Sequence, residues 1–330
     1  MSYKKVLVTG GAGYIGSHVV KQLGESGYDV VIYDNCSTGS AQSILYGELI
    51  LGDLADTEGL YKVFAQHKFS AVLHFAASLI VPESVARPLD YYSNNTRNTL
   101  NLLCCCSAMG VDKIIFSSTA AVYGETDEKP VSEVTPTNPI NPYGRSKLMS
   151  EWMIQDYGAI SPLRYVILRY FNVAGADPSG RIGLMKKNAT HLIKVACDAA
   201  LGRNSGLQVF GTDFPTPDGS GIRDYIHVED LATAHLDALR YLEEDGESQI
   251  LNCGYGQGYS VRQVAERVKA ISGVDFPVIE TPRRPGDPAC VTASADKIYK
   301  VIGWKPQHND LDLIIKTTLD WEKHKDKLGL

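Results

Sequence analysis

The chain has 330 residues, 44% hydrophobic and 21% charged, with a formal net charge of -6. This is ordinary for a globular protein but long for a single core, so a large unit plus a smaller one is expected. A mildly acidic chain gains little from counterion release, which argues against a DNA or RNA partner, although local backbone N–H groups can still hold a small anion.

The first residues, Met1-Ser2-Tyr3-Lys4-Lys5, lead straight into a strand pattern. No signal peptide and no bilayer-length apolar run is visible, so a cytoplasmic protein without a membrane partner is expected. Cys104, Cys105 and Cys106 are adjacent in a helical pattern and face different ways, which suits apolar filling and neither a disulfide framework nor a metal site.

In chain order, strands are predicted at 5–9, 30–33, 49–51, 71–75, 113–117 and 165–170. Helices are predicted at 15–25, 60–67, 91–109 and 143–157. Apolar strands without polar alternation, separated by helices, give an α/β fold: a doubly wound, Rossmann-type parallel sheet. After Asn172 the pattern changes. Gly, Pro and Asp gather in 176–183, 211–221 and 277–288, read as loops around a smaller α/β unit.

The first strand runs into Thr9-Gly10-Gly11-Ala12-Gly13-Tyr14-Ile15-Gly16. Glycines at 10, 13 and 16, after a strand and before a helix, let backbone approach a pyrophosphate at a helix N-terminus. The second strand ends at Asp34-Asn35. A carboxylate about 20 residues past the glycines binds ribose hydroxyls and repels a 2′-phosphate, favouring NAD over NADP. Asp53 is a candidate for the adenine edge or a helix N-cap.

Tyr143 and Lys147 form the only Tyr-x-x-x-Lys in the sequence and share one helix face. An ammonium beside a phenol stabilises the phenolate and so makes it a base near neutral pH. Spacing alone is weak, because such a pair arises by chance in a chain with 18 tyrosines. Position is stronger: the pair follows Ser117-Ser118-Thr119 at the carboxyl end of a parallel strand, where ligands sit in this architecture. Thr119 could hydrogen-bond a reacting hydroxyl or serve as a local turn hydroxyl.

Together with Ser117–Gly124, these motifs resemble the extended short-chain dehydrogenase/reductase superfamily. The segments Leu168-Arg169-Tyr170-Phe171-Asn172, Phe210–Thr216, Gly221–Val228 and Arg283–Asp287 narrow the resemblance to the UDP-glucose 4-epimerase family. It covers nearly the whole chain. It implies that Gly10, Gly13, Tyr14, Ile15, Gly16, Asp34, Asn35, Asp53, Leu54, Phe75, Ala76, Asn94, Ser117, Tyr143 and Lys147 hold NAD. It implies Thr119, Tyr143 and Lys147 as the catalytic set. Thr119, Tyr143, Asn172, His191, Leu192, Phe210, Arg223, Arg284 and Asp287 would meet the UDP-sugar.

The resemblance also places NAD on residues 1–175, with about 222–248, and the UDP-sugar on 176–221 and 249–330. It implies a homodimer through the helices at 91–109 and 143–157. Thr119 stands where many relatives carry Ser, and His191 where some carry Asn. Val291 is small where some members carry Tyr, which implies room for an N-acetyl group and turnover of UDP-GlcNAc/UDP-GalNAc. Dehydratases and decarboxylases of the superfamily carry acidic residues after the catalytic Thr; here Ala120-Ala121 follow it. A UDP-glucuronate 4-epimerase, a simple alcohol dehydrogenase and a non-enzymatic NAD-binding regulator remain as alternatives.

Overall fold

A computed structural model describes residues 4–125, 130–186, 190–284 and 287–328. Strands β1 (Lys5–Thr9), β2 (Asp29–Asp34), β3 (Glu48–Leu51), β4 (Ala71–His74), β5 (Lys113–Ser117) and β6 (Arg164–Tyr170) build most of a large sheet. The chain then leaves it through β7 (Asn172–Ala174), β8 (Leu207–Phe210) and β9 (Ile222–His227). It returns as β10 (Gln249–Cys253) and finishes with β11 (Gly258–Ser260), β12 (Val278–Thr281) and β13 (Cys290–Val291). The large sheet has seven parallel strands in the order β10-β6-β5-β4-β1-β2-β3.

The apolar runs explain why this sheet is covered on both faces. Successive strand residues point to opposite sides. Val6, Val8, Val30, Ile32, Ile115, Val166 and Leu168 enter one core beneath helices Tyr14–Glu25 and Val228–Glu243. Their neighbours Leu7, Val31, Ile114, Phe116 and Ile167 enter a second core, against Leu102, Cys105, Cys106 and Ile154 of the other helical layer. Each such side chain, fully buried, contributes about 1.5–3 kcal/mol.

The second unit pairs β9 with β7, β11 and β13, and β8 with β12. Helices Leu192–Ala200, Val261–Ser272 and Leu311–Leu328 close over a third core containing Ala196, Cys197, Val264, Val268, Ile315 and Leu319.

Four details differ from the sequence reading. The helix expected at 91–109 is interrupted by a π segment, Tyr92–Arg97, before helix Asn98–Met109. A short helix, Val81–Ala86, had no signal because six residues are too few to display a period. The loop expected at 277–288 contains β12, held by pairing with β8. Residues 249–253, read with the second unit, form the outer strand of the large sheet. Of the three adjacent cysteines, Cys105 and Cys106 fill the core and Cys104 is exposed.

Candidate active site

One continuous cleft of about 1360 Å³ runs along the carboxyl ends of the large sheet and under the second unit. Every residue expected to hold NAD or the UDP-sugar lines it except Ser117, which lies just behind its wall and is 2% exposed. Pro285 and Gly286 of the expected substrate motif fall outside the described residues.

At one end, Gly10 adopts a φ of +74°, and a Cβ there would meet the Ala76 nitrogen at 2.5 Å. A Cβ on Gly16 would lie 2.3 Å from the Gly10 carbonyl oxygen. The glycines therefore permit a turn that no other residue fits. Among the described residues no side chain caps helix Tyr14–Glu25, so its first N–H groups stay available to an anion. Asp34 braces the same turn, accepting hydrogen bonds from Ala12 N (2.9 Å) and Cys36 N (2.8 Å). Asp53 is not a helix cap: Asp56 caps helix Thr57–Gln66 through Gly59 N, while Asp53 accepts from Asn35 Nδ2 (2.8 Å) and Ala55 N (2.8 Å). Asn94 sits in the π segment and donates to Ser78 Oγ (3.1 Å). These residues fit a dinucleotide, because the cradle is open only where its glycines lack side chains.

In the middle lie Tyr143 and Lys147. Asn141 caps helix Pro142–Ile160 by accepting from Gly144 N (2.9 Å), and Pro142 sets its first turn. Tyr143 thus occupies the positive end of a helix dipole, which favours a phenolate. Burial pushes its pKa up, and a hydrogen bond with Thr119 pulls it back. The Lys147 ammonium lies 4.1 Å from the centre of the Phe116 ring. Burial pushes its pKa down to about 7, opposed by Glu151. Desolvation thus penalises each charge taken alone, and an adjacent phenolate–ammonium pair relieves both. Thr119 accepts from Ala121 N (3.1 Å), which leaves its own proton for the Tyr143 oxygen.

A buried network supports this centre. Glu151, one turn beyond Lys147, is 0% exposed and accepts from Ser118 Oγ and from Arg169, with Nη2 at 2.6 Å. Arg169 also donates to Tyr123 (3.2 Å), and Tyr123 to Asn252 (2.6 Å). The turn carrying Ser117, Ser118 and Thr119 is thereby tied to β6 and β10. Sequence reasoning missed Tyr170, Lys186 and Tyr225 in the cleft wall. Tyr170 and Tyr225 were within the quoted Leu168–Asn172 and Gly221–Val228 motifs and could have been found there.

At the far end, Arg223 projects from β9, and the Arg284 guanidinium stacks 3.4 Å over Phe210. Asp224 accepts three backbone N–H bonds, from Tyr255, Gly256 and Ala293, and so holds this end together. Two guanidinium groups facing one cleft suit a diphosphate. Asn172 opens β7, Leu192 opens helix Leu192–Ala200, and His191 is that helix's N-cap residue. The His191 Nδ1 atom is buried without a hydrogen-bond partner among the described residues, and burial pushes its pKa down to about 4.

A nucleotide-binding sheet carrying a tyrosine–lysine pair between a phosphate cradle and two arginines defines a class. The chain belongs to the NAD dependent epimerase/dehydratase family, whose model matches residues 6–254. It is 54% identical to a UDP-glucose 4-epimerase of Azospirillum brasilense, over 97% of this chain and 92% of that protein. Among solved structures, the Brucella ovis UDP-glucose 4-epimerase in complex with NAD superposes with a TM-score of 0.93 at 44% identity, covering 96% and 98% of the two chains. The UDP-Glc/GlcNAc 4-epimerase of Campylobacter jejuni superposes with a TM-score of 0.85 at 48% identity, covering 97% and 99%.

Proposed function

We propose that the protein interconverts UDP-galactose and UDP-glucose by inverting carbon 4 of the sugar, with NAD as its cofactor. The observation that carries this is the Tyr143–Lys147–Thr119 set lying between the glycine cradle and the two arginines in one cleft. When bound, NAD supplies the acceptor, and then the donor, of the C4 hydride.

The chain's residues do the rest. Tyr143 removes the proton of the sugar 4-hydroxyl and later returns it, while Lys147 and the helix N-terminus stabilise its phenolate. Thr119 donates to the sugar oxygen. Arg223 and Arg284 hold the diphosphate, so the 4-keto sugar can turn about a fixed anchor and present its other face. The alanines at 120 and 121 supply no carboxyl group for dehydration or decarboxylation, which supports epimerisation over both.

In this reading the large unit, residues 1–171 with 228–253, holds NAD, and the remainder, including β7 and β9, holds the UDP-sugar. A second copy of the chain docks on helices Asn98–Met109 and Pro142–Ile160, where Leu100, Met149 and Trp152 are exposed. Val291 lines the cleft beside the Ala120–Val122 turn as a small side chain and leaves room for an N-acetyl group, so UDP-GlcNAc and UDP-GalNAc are also substrates.

Proton NMR of the protein with UDP-galactose, beside Tyr143→Phe, tests the main reading. Wild type should reach an equilibrium with UDP-glucose using only substoichiometric cofactor, and the variant should lose at least about a hundredfold in rate. Net NADH production, or no turnover by protein that holds NAD, would overturn it. The same assay with UDP-GlcNAc decides the N-acetyl question.

A further inference from the structure

Residues 75–80 follow β4 and carry Ser78, Leu79 and Ile80 along one wall of the cleft. Among the described residues no strand pairs with this stretch. Two buried side chains, Asn95 and Tyr91, take the place of a neighbouring strand. Asn95, in the π segment Tyr92–Arg97, accepts from Ser78 N at 2.8 Å and donates to Ser78 O at 2.9 Å. Tyr91, one turn earlier, accepts from Ile80 N at 2.9 Å and donates to Ile80 O at 2.7 Å, with the Glu83 carboxylate a longer acceptor at 3.2 Å. Burial raises the Tyr91 pKa, and Glu83 adds to the rise, so the hydroxyl keeps its proton. Alternate residues of an extended chain turn both backbone groups to one side, and helix residues four apart share a face. The two side chains thus repeat a strand ladder, with one N–H and one C=O filled at each of two alternate residues.

Both side chains also reach helix Pro142–Ile160. The second Asn95 amide hydrogen goes to Ser146 Oγ (2.9 Å), and Ser146 Oγ donates to the Tyr143 carbonyl oxygen (2.8 Å). Asn94 Nδ2 donates to Asn95 Oδ1 (3.2 Å), so all four hydrogen-bonding positions of the Asn95 amide are used. The Tyr91 ring stands edge-on to the Tyr143 ring, 6.5 Å between centres at 86°.

We propose that Tyr91 and Asn95 are positioning residues for the reaction, fixing the Ser78–Ile80 wall of the cleft against the helix that carries Tyr143 and Lys147. Neither lines the cleft. They act through the backbone of the wall and through the placement of Tyr143. A support that shifts by 1 Å costs up to about a hundredfold in rate. The diphosphate is held by Arg223 and Arg284, on other elements, so a loosened clamp acts on the chemical step. The assignment rests on the epimerase reading, in which Tyr143 is the base.

Turnover of UDP-galactose and of its C4-deuterated form would be followed by NMR on NAD-loaded wild type, Tyr91→Phe, Asn95→Ala, Ser146→Ala and Ile154→Val, with kcat counted per bound NAD and thermal melts alongside. Tyr91→Phe keeps the ring and removes only the hydroxyl, which covers the case in which Asn95→Ala fails to fold. Its kcat should fall by about tenfold and its KM stay within about threefold of wild type, while the isotope effect on kcat rises as hydride transfer slows relative to the other steps. Asn95→Ala should do the same. Ser146→Ala cuts only the tie between Asn95 and the helix of Tyr143, and should move kcat and the isotope effect in the same directions by less. Ile154 lies on that helix in the large-sheet core, so Ile154→Val should lower the melting temperature and leave kcat and the isotope effect unchanged. A folded Tyr91→Phe with wild-type kcat, a loss confined to KM, or a slowed variant whose isotope effect is no larger than wild type's would overturn the proposal. A wild type that does not epimerise would instead remove the reading on which it stands.

Discussion

Replacing Arg169 by methionine isolates the buried pair behind the catalytic turn. The guanidinium places Nη2 at 2.6 Å and Nε at 3.1 Å from the Glu151 carboxylate, and the two side chains are 5% and 0% exposed. Methionine fills much of the space but leaves the carboxylate without a countercharge, a loss of about 3–5 kcal/mol. At about 2.1 cal/mol/K per residue, the unfolding entropy of the 330-residue chain is about 0.7 kcal/mol/K, so the melting temperature should fall by about 4–7 °C. Catalysis should fall with it. The unbalanced charge acts on Lys147 one turn away, and Ser118, a Glu151 donor, precedes Thr119. Differential scanning fluorimetry at saturating NAD, with kcat and KM from the NMR assay, measures both effects. Arg169→Met/Glu151→Gln removes the orphaned charge and should regain more than half of the lost stability. A single variant within about 1 °C of wild type, or a double variant as unstable as the two singles combined, would refute the argument.

Three further outcomes follow from the geometry. Gly16→Ala sets a methyl group against the Gly10 and Gly11 backbone, so NAD retention after gel filtration should be lost; a variant that holds NAD like wild type would mean the loop yields more easily than its contacts imply. His74 and His227 are held down to about 3 and His235 to about 4, all below the usual 6.5, so the unfolded chain binds protons there that the folded chain refuses. These three histidines should make stability fall as the pH drops from about 6.5 toward 3. His74→Gln should flatten the melting-temperature slope between pH 7 and 5, and an unchanged slope would exclude His74 from it. Trp152 is 54% exposed on the face assigned to a second copy; Trp152→Glu should halve the mass seen by light scattering while leaving the fold intact, and an unchanged mass would move the interface elsewhere.

The sequence disclosed those parts of the molecule whose physics is local. The apolar strands and the glycine turn are legible because burial on two faces and backbone approach to a phosphate each leave a short pattern, as at Val6-Leu7-Val8 and at Gly10, Gly13 and Gly16. Tyr143 and Lys147 are legible because a helix turn joins them. Arg223, Arg284 and His191 carry no such pattern and were reached only through resemblance. The Ser117–His235 contact spans 118 residues, and Glu151–Arg169 links a helix to a strand. Neither has a local signature, since a buried histidine or arginine looks like any other until its partner is placed. The π segment at Tyr92–Arg97 escaped for a different reason: a one-residue change of helical phase does not disturb an apolar pattern enough to be seen.

The path of the chain through β10 bears on how the protein is made. The outer strand of the large sheet is Gln249–Cys253, although the sheet's other strands are complete by Tyr170. On a ribosome, the edge of β6 stays unpaired while some eighty further residues are synthesised, and the layer containing Val228–Glu243 is missing for most of that time. The nascent chain thus exposes a bare sheet edge and the apolar face of β5 and β6 until the second unit has largely emerged, a condition that invites mispairing. Truncation anywhere between 175 and 253 would make that exposure permanent, so the phosphate cradle and the arginine end are obliged to mature as one cooperative unit.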